Sequence, residues 1–168
     1  GHDCVYVARI PARKIMTTTL VVGSRVPAHA TAMGKVLLAH LPPADLDEYF
    51  RTATFQRFTK WTLIDESRLR RALREVRAQG WSLADQELAL GLRTIAAPVF
   101  DRTNRVKAAV NVAGAVAVVS MKEMLRQHLP VLLEATREIS RALGANLDGL
   151  PTAASRRPVR RTFARQAR

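Results

Sequence analysis

Residues 26–39 constrain the fold most, because they join a Pro-containing turn to a helix that is apolar on nearly every side. Only Lys35 and the following His40 interrupt that apolar character, and Gly34 allows another backbone to approach closely. A helix that is hydrophobic all round belongs inside a protein. Its first turn is built from small residues, so its free N–H groups and its dipole would favour an anion. We therefore predict a buried helix whose start is either ordinary core structure or the floor of a ligand pocket.

The net charge of +13 suggests a nucleic-acid-binding protein, but the distribution of charge weakens that interpretation. Residues 151–168 carry six arginines and no acid, in a context with almost no large apolar residues. We expect residues 148–168 to form a basic, disordered tail, which is either inert and solvated or a non-specific phosphate binder. The arginines of the helix predicted over residues 65–80 are open to the same two interpretations.

The remaining composition excludes several classes of protein. No apolar run reaches the ~18 residues of a transmembrane helix, and no secretory signal is present. The single cysteine, Cys4, rules out an internal disulfide and agrees with a reducing cytoplasm. Residues 1–2 resemble a tag remnant, so we expect one domain whose upstream portion is absent.

Periodicity and turn residues predict an α+β domain in which helices pack over an antiparallel sheet. Short strands over residues 5–10 and 15–22 should pair as a hairpin. In chain order the further predicted elements are the apolar helix, a short helix over 44–50, a helix from an Asp65 cap to Gly80, strands over 81–84, 92–100 and 105–113, and a last helix capped by Ser120, kinked at Pro130 and ended by Gly144.

The two longest predicted strands have one face of small and polar side chains. In the second strand the valines at 106, 110 and 112 form the natural core side, while Lys107, Ala109, Asn111 and Ala113 share the other. In the first strand, positions 94, 96 and 98 share a face in the same way. Small side chains leave room for something above the sheet, either a packed helix or a ligand.

The sequence contains no complete catalytic motif. Gly34-Lys35 is not a phosphate loop, because that motif needs Gly at position 29 and Ser or Thr at position 36, where His29 and Val36 stand. Asp85 and Glu87 are typical of turn and cap residues rather than an acid–base pair. His29 could be a base, but a satisfied core or pocket histidine is the commoner role. We predict that the protein is not an enzyme and has no catalytic residue, metal or cofactor.

Residues 22–39 resemble the signature of the IclR family of bacterial transcriptional regulators, and residues 85–101 resemble the family's second signature. The final helix, ending at residues 139–144, also fits, and the resemblance covers residues 3–147. It implies an effector-binding domain with a GAF-like or profilin-like fold, joined in the intact protein to an N-terminal winged helix-turn-helix that is absent here. Residues 108–112 and 129–132 resemble a subgroup that regulates protocatechuate, 4-hydroxybenzoate and β-ketoadipate degradation.

The resemblance also implies an effector pocket between the sheet and the apolar helix. Carried over by position, its residues would be His29, Ala32, Met33, Gly34, Ala84 or Asp85, Thr94, Asn111 and Ala113. Relatives that bind small oxoacids have acidic and hydroxyl side chains where this chain has Ala84 and Ala113, which favours a larger or aromatic acid.

The resulting hypothesis is a cytoplasmic sensor domain that binds a small aromatic or dicarboxylic carboxylate. The helix start would accept the carboxylate, and Asn111 and Thr94 would supply polar contacts. The domain would form a homodimer or homotetramer, contact operator DNA through the missing domain, and not associate with a membrane. Two alternatives stay open, namely a ligand-independent oligomerisation module and a nucleic-acid-binding domain that acts through the arginine-rich helix and the tail.

Overall fold

A computed structural model of the chain describes residues 1–10 and 20–148, so the tail predicted over 148–168 lies almost entirely outside the described residues. The elements in chain order are β1 (Asp3–Val5), β2 (Arg25–Pro27), a 3₁₀ turn (Ala28–Ala30), α1 (Ala32–Ala39), α2 (Pro43–Thr52), α3 (Glu66–Gln79), β3 (Ser82–Asp85), β4 (Leu92–Phe100), β5 (Val106–Ala115), α4 (Met121–Glu123), a π-helical turn (Met124–His128) and α5 (Leu129–Ala142).

Strands β3, β4 and β5 form an antiparallel sheet in that order, which confirms the predicted α+β architecture. The turn between β4 and β5 suits its residues, because Asp101 accepts hydrogen bonds from the backbone N–H groups of Thr103 and Arg105 at 2.8 and 3.2 Å. Asn104 adopts a positive φ of 55°, which asparagine tolerates better than most residues. These local contacts set the register in which Thr94 pairs with Ala113.

Helices cover both faces of this sheet, and the alternation of side chains along the strands decides which residues each helix meets. On one face, Ala84 and Ala96 join the core cluster that contains α1 and the buried side of α3. On the other face, Leu83 and Ile95 join the cluster that contains α5. The predicted face of small side chains is therefore confirmed from Ala109 to Ala113 of β5, and it lies on the α1 side of the sheet. A bulge opposite Val99 and Phe100 leaves Lys107 unpaired, so the predicted alternation does not continue to Val106.

Helix α1 is an interior helix, as predicted. Val36 is fully buried and Ala32 is 1% exposed, although both lie within a helix of only eight residues. A Cβ atom built at Gly34 would lie 2.1 Å from the carbonyl oxygen of Ala28. The absence of a side chain at Gly34 therefore allows the helix to pack directly against the preceding 3₁₀ turn, and the predicted close backbone approach is confirmed.

The first strand pair differs from the prediction. Strand β1 covers Asp3–Val5 instead of residues 5–10, and its partner is Arg25–Pro27. The second strand was predicted over 15–22; residues 15–19 lie outside the described residues, and 20–22 are not in a strand. The pairing is extended by hydrogen bonds from Tyr6 N–H to the Ser24 carbonyl and from Gly23 N–H to the Tyr6 carbonyl. A three-residue strand is too short to show a periodicity, so the sequence could not reveal this partner.

Helices α2 and α3 follow their predicted start and stop signals. The Asp65 side chain accepts a hydrogen bond from Arg68 N–H at 2.8 Å, and Gly80 ends α3 with a φ of 80°. The arginines of α3 form an exposed face, except for Arg70, whose guanidinium contacts carboxylates of α2 and α3 and lies over the Phe50 ring. No helix among the described residues is long and apolar enough to cross a membrane.

The last helix is interrupted where the sequence predicted a kink. Ser120 caps it by accepting a hydrogen bond from Glu123 N–H at 3.1 Å, and Gly144 follows its end with a φ of 81°. Between these ends, the π-helical turn lies directly before the Pro130 region of α5. Proline has no N–H with which to continue the helical hydrogen bonds, and a wider turn accommodates that loss.

Replacing Gly34 with alanine tests the close approach of α1 to the 3₁₀ turn. Because the added methyl group would overlap backbone atoms of Ala28, we expect Gly34→Ala to lower the free energy of unfolding by about 3 kcal/mol or more, or to prevent folding. Urea denaturation would measure the change. Gly114→Ala is the matched control, because its Cβ would meet only side-chain atoms, at 3.1 Å and beyond, and these can move. An equal loss in both variants would contradict this account of Gly34.

Candidate functional site

Three of the predicted site residues form a row across the sheet beneath α1. Thr94 in β4 pairs with Ala84 in β3 on one side and with Ala113 in β5 on the other. Directly opposed residues on neighbouring strands lie about 5 Å apart, so the row is a continuous strip of small side chains. Ala84 is buried, Thr94 is half-buried and Ala113 is exposed, so the strip opens toward solvent at the β5 edge.

Asn111 lies two positions along β5 from Ala113 and faces the same side. Its side chain lies near the hydroxyl of Tyr6 and acts to lower the pKa of that hydroxyl, while Tyr6 is half-buried and packs against the α1 cluster. Burial raises the pKa of the Tyr6 hydroxyl, so the phenol is neutral near pH 7. Tyr6 was not among the predicted site residues, because its contact with Asn111 spans most of the chain and leaves no local signal.

Helix α1 packs on the same face of the sheet as this strip. Ala32 begins the helix and packs in the same core cluster as Ala84, with the half-buried Met33 beside it. The Thr31 hydroxyl caps the helix by accepting a hydrogen bond from Gly34 N–H at 3.1 Å, and it donates to the Pro27 carbonyl at 3.2 Å. The Thr31 side chain therefore uses the N–H of Gly34, one of the backbone donors in the first turn of α1. The N–H groups of Ala32 and Met33, the first two residues of the helix, precede it.

The structure separates Asp85 from the other predicted site residues. Side chains alternate along β3, so Asp85 points to the opposite face from Ala84. Its two carboxylate oxygens accept hydrogen bonds from the Arg93 guanidinium at 3.0 and 3.1 Å. Arg93 also donates to the Val119 carbonyl at 3.0 Å. Of the two alternatives, Ala84 lies at the strip beneath α1 and Asp85 supports the far side of the sheet.

His29 is a buried histidine within the 3₁₀ turn. Its Nε2 lies 2.9 Å from the Gln56 carbonyl oxygen, and its ring packs against the rings of Phe55 and Phe58. Burial lowers the pKa of His29, since the charged imidazolium would lose its hydration. A neutral imidazole that donates to a backbone carbonyl matches the satisfied histidine favoured from the sequence.

The sequence analysis did not predict a buried ion pair that joins α1 to the turn after β3. The Lys35 ammonium binds the Glu87 carboxylate, and the two side chains are only 3% and 7% exposed. One carboxylate oxygen of Glu87, Oε2, has no hydrogen-bond partner among the described residues. The available signal was the single lysine within an apolar helix, because a buried charge needs an opposite charge nearby.

The loop over residues 53–65 ties this ion pair to the helix start. The Thr62 hydroxyl donates to the Glu87 carbonyl and the Thr59 hydroxyl donates to the Gln86 carbonyl, both at 2.7 Å. Gln86 has a positive φ of 59°, which a non-glycine residue adopts only when its surroundings hold it there. Together with the contact between His29 and Gln56, these bonds connect the Lys35–Glu87 ion pair and the start of α1 through one loop.

The described residues around the strip offer neither a reactive thiol nor a group of metal ligands. The thiol of Cys4 is buried, which raises its pKa to about 11 and makes it a poor nucleophile. Among the residues that the structure describes, no group of three or more His, Cys, Asp or Glu could hold a metal ion. What remains is a strip of small side chains with two polar groups, Thr94 and Asn111, below a helix start.

The sequence matches the family described as bacterial transcriptional regulator IclR C-terminal over residues 1–141. It is also 40% identical over 144 residues to the Pca regulon regulatory protein of Pseudomonas putida, a match that covers 85% of this chain and 50% of that protein. The chain belongs to the IclR family. It spans about half the length of the curated relatives it matches, and the family is one of transcriptional regulators rather than enzymes.

Solved structures of IclR-type proteins share the fold. A Rhodococcus sp. RHA1 protein described as a transcriptional regulator superposes with a TM-score of 0.82 at 40% identity, covering 85% of this chain and 58% of that chain. A double mutant of the PobR inducer-binding domain from Acinetobacter, in complex with 3-hydroxybenzoic acid, superposes with a TM-score of 0.76 at 30% identity, covering 83% of this chain and 82% of that one. The chain thus has the fold of the C-terminal domain of IclR-type regulators.

The buried ion pair predicts a strongly non-additive double-mutant cycle. Lys35→Met leaves the Glu87 carboxylate buried without its counter-charge, so we expect a loss of about 3–5 kcal/mol in the free energy of unfolding. The double variant Lys35→Met/Glu87→Leu should lose clearly less than the sum of the two single variants. Urea denaturation of the four proteins measures the cycle.

The exposed pair between Glu48 and Arg51 in α2 is the matched control. Its side chains are 58% and 71% exposed, so Arg51→Met should change the free energy of unfolding by less than about 1 kcal/mol. Additive losses at positions 35 and 87 would show that the two charges do not depend on each other.

The lowered pKa of His29 predicts that stability falls on mild acidification. The unfolded chain takes up a proton near the ordinary pKa of 6.5 while the folded chain resists it, so stability is complete above pH 6.5 and declines as the pH drops below that value. An NMR titration should place the His29 midpoint below 6.5. His29→Gln should reduce the dependence, leaving that of His40, whose pKa burial also lowers. A His29 midpoint above 6.5 would contradict the burial argument.

Proposed function

We propose that this domain senses a small carboxylate, aromatic or dicarboxylic, which binds between α1 and the sheet of β3, β4 and β5. The observation that supports the proposal is the strip formed by Ala84, Thr94 and Ala113, which lies on the face of the sheet that packs against α1. A strip of small side chains flanked by a few polar groups is typical of a site that orients a small ligand with an apolar body.

The carboxylate would bind at the start of α1. Thr31 already caps Gly34 N–H, so the backbone N–H groups of Ala32 and Met33 are the donors left for an anion. The positive end of the helix dipole adds to their attraction. Met33 is half-buried beside them and would cover the apolar body of the ligand.

The far end of the ligand would meet Asn111 and Thr94. The amide of Asn111 offers both a donor and an acceptor, and its contact with the Tyr6 hydroxyl orients it. The side chains of Ala84 and Ala113 are small and apolar, which favours an aromatic or extended acid over a very small oxoacid. The PobR inducer-binding domain complexed with 3-hydroxybenzoic acid, and the kinship to Pca regulators, support that class of ligand.

In the intact regulator, the domain would act on operator DNA through a winged helix-turn-helix domain outside this chain. Its relatives are about twice as long as the aligned region, which leaves room for such a domain. We propose that the regulator works in the cytoplasm as a homodimer or homotetramer, and that effector binding shifts the population between two arrangements of the subunits. Such a shift requires that the effector bind the two arrangements with different affinity.

A thermal-shift panel tests the proposed ligand class with protocatechuate, 4-hydroxybenzoate, β-ketoadipate and glyoxylate. A ligand present at ~100 times its Kd stabilises the folded state by about 2.7 kcal/mol, which raises the Tm of a domain of this size by roughly 5–10 °C. We expect at least one of the larger acids to produce this shift, and glyoxylate to produce less. If none of the four raises the Tm, the ligand class is wrong.

The substitution Asn111→Leu tests whether the ligand contacts Asn111. The leucine removes the amide group that would contact the ligand, so the thermal shift caused by the best acid should be lost. Lys107→Leu is the control, because it adds the same side chain to β5 at an exposed position away from Thr94. Binding that survives Asn111→Leu unchanged would remove Asn111 from the site.

A further inference from the structure

A cleft lies away from the proposed effector site, where the end of the 53–65 loop meets the start of α3. Its volume is about 380 Å³, within the ~300–1,000 Å³ range of small-molecule pockets. None of its lining residues belongs to the strip beneath α1. The cleft is therefore a separate feature of the domain.

The charges around this cleft are unbalanced. Arg57, Lys60 and Arg68 line it, and none of the three forms an ion pair with any residue in 1–10 or 20–148. Asp65 is the one carboxylate in the lining, and it is engaged in capping α3 through Arg68 N–H and in a hydrogen bond from the Ser67 hydroxyl. These bonds lower the pKa of Asp65, but three cations still face one anion.

The floor of the cleft is apolar and firmly held. Trp61, Leu63 and Ile64 contribute side chains to it, and the Lys60 ammonium lies 4.9 Å from the centre of the Trp61 ring. The hydroxyl of Thr62 accepts hydrogen bonds from Phe58 and Thr59 N–H groups at 3.1 and 2.9 Å while it donates to the Glu87 carbonyl. This side of the cleft therefore exists before any ligand binds, which reduces the entropic cost of binding.

We propose that this cleft is a second ligand site, for a small organic anion with a planar apolar body. The anionic group would pair with Arg57, Lys60 and Arg68, since charge-assisted hydrogen bonds from guanidinium groups hold carboxylates well. The apolar body would pack on Trp61, Leu63 and Ile64. The proposal does not depend on the effector site beneath α1.

The two sites are joined by hydrogen bonds. The cleft residue Thr62 contacts Glu87, and Glu87 pairs with Lys35 in α1. Upstream in the same loop, the Gln56 carbonyl contacts His29 beside the start of α1. An anion that tightens this loop would thereby bias the position of α1, which gives the second site a route to influence effector binding.

Titration of the 168-residue chain with benzoate, followed by the indole N–H resonances in ¹H–¹⁵N NMR spectra, tests the proposal. The chain has two tryptophans, and Trp81→Phe assigns the resonance of Trp61. At ~50 mM salt, where exposed charges are weakly screened, benzoate should shift the Trp61 resonance saturably and leave that of Trp81 in place. Benzamide, which has the same ring without the charge, should not.

Matched variants separate a built site from general attraction to a basic protein. Arg57→Gln/Arg68→Gln should weaken benzoate binding at Trp61 by about tenfold or more. Arg71→Gln/Arg74→Gln removes the same charge from exposed positions of α3 and should change the affinity less than about twofold. Lys60→Gln gives an independent measurement if the first double variant does not fold.

Several outcomes would overturn the second site. These are a Trp61 resonance that does not respond to benzoate, an equal response to inorganic phosphate, and equal weakening by the two arginine pairs. Loss of the Trp61 response in Asn111→Leu would also overturn it, because the shift would then report the effector pocket. A response that persists in Asn111→Leu while the thermal shift is lost would show two separate sites.

Discussion

The packing of α1 against the carbonyl of Ala28 is the contact on which the rest of the domain depends. A Cβ at position 34 would lie 2.1 Å from that oxygen, so only glycine allows the helix to pack so closely on the turn before it. The contact seats α1 over all three strands and brings Ala32 into the core with Ala84. The backbone groups at the start of α1 that are proposed to hold the effector are positioned through this one approach of two backbone segments.

A polar network holds this arrangement from behind. The Lys35–Glu87 pair joins α1 to the turn after β3, and Thr62 joins that turn to the 53–65 loop. Buried ion pairs contribute little net stability compared with apolar packing, but they tolerate few alternative geometries. Through this network, the loop over residues 53–65 contacts the region of the proposed effector site and also lines the basic cleft near α3.

The face of small side chains on which the proposed site rests could be predicted from the sequence, because side chains alternate along β4 and β5 on the Thr94 side of the bulge. The period of two placed Thr94, Asn111 and Ala113 on the face of small side chains, and the structure shows that face under α1. The same period places Ala84 and Asp85 on opposite faces of β3, whereas the family resemblance allowed either residue to line the pocket. Tyr6 could not be found in this way, because nothing near it in the chain indicates that its hydroxyl meets Asn111.

The sequence by itself determined the features that depend on near neighbours: the Asp65 cap of α3, the antiparallel hairpin of β4 and β5, and the buried character of α1 with its glycine. These follow from hydrogen bonds and periodicities that span only a few residues. Tertiary structure alone decided that β1 pairs with β2 and that Lys35 meets Glu87, 52 residues away. Such contacts form only when the whole core closes. Burial of Lys35 requires an opposite charge nearby, but it does not specify where in the chain that charge lies.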